Sequence, residues 1–157
     1  MHPSRSLPRR STVKRFRAVL VIALIAVAAS AAHADSVVLI VSAASPIQQL
    51  GSVELRKAFM GFNVVASGLS LTAARNRSDP RLDKIFLQNI VDLSELVYER
   101  QLLSRKLQKA AALPTEFVDN NRLLDAVARD PGTIGYAWAT SVEKRPDVRV
   151  LRILWHD

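Results

Sequence analysis

One α/β domain, with helices layered on a mixed sheet, is the architecture this sequence predicts, and three observations carry it. The run Val37 to Val41 is short, wholly apolar and rich in β-branched residues, which marks a buried strand. Downstream, segments with apolar residues at three- and four-residue spacing alternate with short strand-like segments. Near the end, "GTIGYAWA" and "DVRVLRIL" read as two more strands, the first punctuated by glycine.

Pro46 ends the first strand. In "PIQQLGSVELRKAFMG", Ser52 is the expected helix cap, Leu55, Ala58 and Phe59 share one face, and Gly61 stands where a C-terminal glycine belongs. "FNVVASGLSLTAA" predicts one or two short strands around Gly68. Ser78 or Asp79 caps the next helix, Pro80 suits its first position, and Leu82, Ile85, Phe86, Asn89 and Ile90 form its inward stripe. "LSELVYERQLLSRKLQKAAAL" is the longest helical stretch, with Leu96, Leu103, Leu107 and Ala110 as its apolar side and Pro114 as its end. A short strand in "TEFVDN" precedes a helix in "NNRLLDAVARDPG" that turns Leu123, Leu124 and Val127 inward. Val148, Val150 and Ile153 alternate imperfectly in the last strand. The sheet is expected to mix parallel and antiparallel pairs.

Residues 1–34 have a different character. Six basic residues precede an apolar run from Ala18 to Ala29, and Ala32-His33-Ala34 has the A-x-A form of a cleavage site. That is the layout of a secretory signal peptide, with cleavage expected after Ala34 and a bacterial periplasm as the destination. The run is shorter than the roughly 20 residues that span a bilayer. An uncleaved anchor is the alternative reading. The whole chain has 157 residues, a formal charge of +8 and no cysteine. Setting the leader aside removes six basic residues and no acidic one, so residues 35–157 carry a net charge of +2. The high isoelectric point therefore resides in the leader and argues for no nucleic-acid partner. The absence of cysteine excludes disulfides and lipid attachment.

Chemistry is limited by composition. Outside the leader the only histidine is His156, next to the C-terminus, a poor position for a general base. No phosphate-loop, dinucleotide or nucleophile-elbow motif occurs, so no enzyme, cofactor or metal is expected. The carboxylate pairs Glu95/Glu99 and Asp79/Asp83 read as solvated helix faces. "AARNRSDPRLDKIF" is different, because arginines surround a helix start, whose free N–H groups and dipole attract oxyanions. Arg75 and Ser78 are the candidate anion-binding residues, Arg75 as a fork and Ser78 as a hydroxyl donor. The competing reading has Ser78 or Asp79 simply capping the helix while the arginines face water. Tyr136 and Trp138 share a strand face and serve either as core or as the wall of a cleft; Gly132 and Gly135 allow close backbone approach.

Four stretches in order resemble phosphate ABC transporter substrate-binding proteins of the type 2 periplasmic-binding-protein superfamily. They are "VVLIVSAASPIQQLGSVELRKAFMG", "LTAARNRSDPRLDKIFLQNIV", "LVYERQLLSRKLQKAAALPTEFVDNNRLLDAVARDPG" and "PGTIGYAWA". The likeness runs from about Val37 to Ile153 and implies one periplasmic-binding-protein-like lobe over residues 35–157. It also implies an inorganic phosphate or other small oxyanion ligand, in solute transport or sensing. Family members clamp the ligand between two lobes, and this chain holds residues for one. Its loop reads Ser78-Asp79-Pro80 where the family has Ser-Gly-Thr, so only Arg75 and Ser78 carry over by position. A lobe kept as a ligand-free partner-binding or signalling module is the alternative, its partner a membrane protein or a second copy of the chain.

Overall fold

A computed structural model describes residues 35–108 and 111–157; the expected leader, residues 1–34, lies outside the described residues, as does Ala110. The apolar run becomes strand β1 (Ser36–Ser42), buried on both faces as its unbroken hydrophobicity requires. Helix α1 (Ser52–Phe59) buries Leu55, Ala58 and Phe59 as expected. Its cap is Gly51, however, with no side-chain bond, and Ser52 is the first helical residue rather than the cap. Gly61 follows at φ 76°, the left-handed position that glycine adopts most cheaply. The next segment is a hairpin, β2 (Val65–Ala66) and β3 (Leu69–Ser70). Its two turn residues, Ser67 and Gly68, both have positive φ, which fits the twist of a tight two-residue turn.

Strand β4 (Thr72–Asn76) leads directly to helix α2 (Pro80–Phe86), which continues as a π-helical turn, Leu87–Val91. Leu82, Ile85, Phe86 and Ile90 are buried; Asn89 is exposed, because the wider turn shifts the stripe it was expected to join. After helix α3 (Glu95–Lys106) come β5 (Thr115–Phe117), α4 (Asn120–Arg129), β6 (Thr133–Trp138), a short α5 (Ala139–Val142) and β7 (Val148–His156). The main sheet has the order β5-β4-β6-β1-β7. β4 is parallel to β5 and β6, and β1 is antiparallel to β6 and β7, the mixed sheet that the sequence predicts.

Alternation along the strands sorts the core into two layers. Val37, Leu39, Val41, Ala73, Ile134 and Tyr136 face α1, α2 and α3, while Val38, Ile40, Ala74 and Ala137 face α4. Leu123, Leu124 and Val127 seal the second layer as expected. Gly135 is small for a reason: a Cβ there would lie 3.1 Å from Val127 and 3.3 Å from Leu123. In β7 the expected alternation fails, and Val150 and Ile153 are exposed. Two register shifts against β1 put an extra residue in β7 each time, which turns the following side chains to the other face.

The longest helix is a correction. The leucine side of α3 was expected to face the core, yet Leu96, Leu103 and Leu107 are 70%, 65% and 85% exposed. Tyr98 takes the inward position and donates a 2.8 Å hydrogen bond to the Phe59 carbonyl. A single large side chain with a satisfied polar tip anchors the helix in place of the leucines.

Candidate functional site

The carboxyl ends of β4, β5 and β6 point toward the start of α2, the end of an open α/β sheet where ligands commonly bind. Arg75 and Asn76 close β4 at this end, and both are completely buried. Alternation sends them to opposite layers.

Arg75 enters the layer of α2 and α3, where its guanidinium meets three carboxylates. Nε and Nη2 fork onto Asp83 at 3.1 and 3.2 Å. Nη1 donates to Glu99 at 2.6 Å and to Glu116 at 2.9 Å. Phe86 and Tyr98 lie against the same guanidinium, 5.3 and 4.8 Å from its carbon, in cation–π contact. Each partner comes from a different element: Asp83 sits one turn into α2, Glu99 one turn into α3, and Glu116 is the direct register partner of Arg75 on β5. Burial alone lowers the Arg75 pKa, but the bond to Glu99 and the charge of Asp83 outweigh it and raise the value, so the cation is fixed. Arg77 adds an outer layer, with Glu95 at 3.2 Å, Glu116 at 3.6 Å and Asp83 at 3.8 Å. Two arginines thus face four carboxylates. An open depression of about 380 Å³, lined by Arg77, Pro80, Asp83, Lys84, Leu87 and Glu95, lies beside this cluster.

The helix start is also occupied from within. Asp79 Oδ1 accepts the Arg81 N–H at 2.7 Å, and its Oδ2 accepts the Trp138 indole N–H at 2.9 Å. The indole bond, helped by the N–H groups of Arg81 and Leu82, holds the Asp79 carboxyl below the usual carboxylate range. Of the two capping candidates, Asp79 is the one the structure uses. Ser78 turns elsewhere. Its hydroxyl donates to Asn76 Oδ1 at 2.6 Å and its N–H to the same oxygen at 3.1 Å. Asn76 in turn donates to Asn120 Oδ1 at 3.0 Å and to the Tyr136 carbonyl at 3.1 Å, which ties the loop to α4 and β6.

Arg75 and Ser78 therefore stand at one loop but share no hydrogen-bond partner. Asp79/Asp83 and Glu95/Glu99 correct the expectation of solvated faces: Asp79 caps, while Asp83, Glu95 and Glu99 hold arginines. Tyr136 is buried core, stacked on Phe86 at 4.9 Å. Trp138 meets Trp155 edge-on at 6.2 Å, and the Arg81 guanidinium lies over both rings while bonding Asp35 and Asp157. Sequence reasoning missed Asn76 and Glu116 altogether. The only signal for Glu116 is the pairing of β4 with β5, a fact of tertiary structure.

No family model and no curated protein matches the chain. Solved structures do. An ABC-type phosphate transport receptor from Vibrio cholerae superposes with a TM-score of 0.53 at 16% identity, over 75% of this chain and 46% of that one. A phosphate ABC transporter substrate-binding protein with bound phosphate, from Clostridium perfringens, gives 0.56 at 13% identity over 75% and 44%. PstS from Borrelia burgdorferi gives 0.54 at 12% identity over 74% and 46%. The fold is thus that of the periplasmic-binding-protein type, as the sequence resemblance implies, and the chain spans less than half the length of each of these neighbours.

Proposed function

We propose that residues 35–157 form an exported, non-enzymatic lobe of solute-binding-protein type that works as a ligand-free partner-binding module in the periplasm, with residues 1–34 as its cleavable leader. The observation that supports this reading is the full burial of Arg75 among Asp83, Glu99 and Glu116. An oxyanion approaching that guanidinium has to displace carboxylates already in charge-assisted contact with it. It also meets the Asp79 carboxylate on the helix N–H groups, which repels an anion where the fold would otherwise attract one. The ligand's part at this corner is taken by the chain's own acidic side chains.

The rival reading is a phosphate receptor using Arg75 and Ser78. Two neighbours are phosphate transport proteins by description, and one of them carries phosphate. Thermal melts of the exported protein in phosphate, sulfate and chloride at matched ionic strength separate the two. The module reading expects the three curves to coincide. Saturable phosphate binding adds about 2.7 kcal/mol at 100 times its dissociation constant, so a phosphate-specific rise that is lost in Arg75→Ala would sink the proposal.

A further inference from the structure

The exposed leucines of α3 have no role in the lobe's core. Leu96, Leu103 and Leu107, with Arg100 between them, follow an i, i+4, i+7, i+11 spacing, which is the seam of a two-helix coiled coil. That seam lies opposite Tyr98, the residue that fastens the helix to the domain. Soluble helices rarely leave a leucine stripe of this regularity in water.

The charges beside the stripe indicate what covers it. One flank carries Glu99 and, seven residues on, Lys106. Glu99 is 45% exposed even while its Oε1 holds Arg75, and Lys106 has no ion-pair partner among the described residues. The other flank carries Val97 and Ser104. When two copies of one helix pack antiparallel, each flank meets its own counterpart. Glu99 of one copy then lies across from Lys106 of the second, twice, with Leu103 near the two-fold axis. A parallel pairing sets the charged flank against Val97 and Ser104 and gains no ion pair.

We propose that this face of α3 is a homodimer interface, occupied by α3 of a second copy running antiparallel. The proposal deepens the partner-module reading and rests on it, naming the partner as the chain itself. A 12-residue helix is only about 18 Å long. It buries less than the ~800 Å² per partner of a standard interface, so association is expected in the micromolar range or weaker.

Sedimentation velocity of the exported protein across a thousandfold concentration range is expected to move from one to two chains. Leu103→Glu changes an exposed side chain, so the thermal midpoint should hold while the dissociation constant rises at least tenfold. Because the chain has no cysteine, single-cysteine variants report orientation cleanly. Under mild oxidation Leu103→Cys should cross-link at least tenfold faster than Gln101→Cys or Leu96→Cys. A monomer at every concentration overturns the proposal, and so does equal cross-linking through residues 96 and 103, the mark of a parallel pair. Flotation of a monomer with anionic phosphatidylglycerol vesicles, abolished by Leu103→Glu, overturns it in favour of a membrane surface. None of these outcomes touches the phosphate test, which judges the parent reading separately.

Discussion

Replacing Arg75 by methionine removes the charge at the centre of the cluster while keeping much of the side-chain volume. Breaking a buried ion pair from one side typically costs 3–5 kcal/mol, because the other charge is left stranded. Here the cost falls unevenly. The side chains of Glu99 and Glu116 are 45% and 42% exposed and can turn into water, whereas that of Asp83 is only 15% exposed. One stranded carboxylate and two lost cation–π contacts put the expected loss near the lower end, about 3 kcal/mol. Unfolding entropy of about 2.1 cal/mol/K per residue gives a domain of this size about 0.25 kcal/mol/K, so the melting temperature should drop by about 12 °C. Calorimetric melts of both proteins measure this directly. Adding Asp83→Leu to the variant removes the stranded charge and should restore at least half of the loss. A drop of less than about 3 °C, or no recovery in the double variant, refutes the idea that Arg75 organises this corner.

Three further outcomes are expected. Asp79→Ala should lose about 1 kcal/mol at neutral pH through the missing cap. Because the folded state holds this carboxyl below its usual range, its contribution is present above the unfolded pKa and vanishes as pH falls through the folded one, so melts of wild type and variant should converge in strong acid. Asn76→Ala strands the Ser78 N–H and hydroxyl and frees the Tyr136 carbonyl and Asn120; a loss of about 3 kcal/mol in urea unfolding is expected. In Gly135→Ala the new methyl meets Val127 at 3.1 Å and Leu123 at 3.3 Å, and thermal melts should register about 1–2 kcal/mol of overpacking.

Much of the fold is legible in the chain because local rules and tertiary packing agree. Val37 to Val41 is apolar on both faces and becomes a strand covered on both sides. Pro80, Gly61 and Gly68 stand where backbone geometry needs them. The reading fails where two apolar faces compete. Helix α3 has an aliphatic side and an aromatic one, and periodicity weights the leucines by number. The fold instead buries Tyr98, whose ring packs against Phe86 and Arg75 and whose hydroxyl reaches a backbone carbonyl. In β7 the register shifts against β1 undo an alternation that the sequence only half displays. For the site, Arg75 and Ser78 were legible as polar groups at a helix start, but their partners were not. Asp83 and Glu99 sit on amphipathic helices among basic residues, the pattern of ordinary solvated faces.

The sequence by itself determined the layered α/β class, the strand and helix order, the position of the arginine-rich loop and the poverty of catalytic groups, since each depends on residues near one another in the chain. Tertiary structure alone decided which charges meet. Glu99 lies 24 positions and Glu116 41 positions from Arg75, and they converge on it only because β4 pairs with β5 and α3 packs behind both. Coulombic contact acts across space within a few ångströms and ignores distance along the chain, so an arginine that reads as an open anion clamp emerges as the neutralised centre of the protein's own carboxylates.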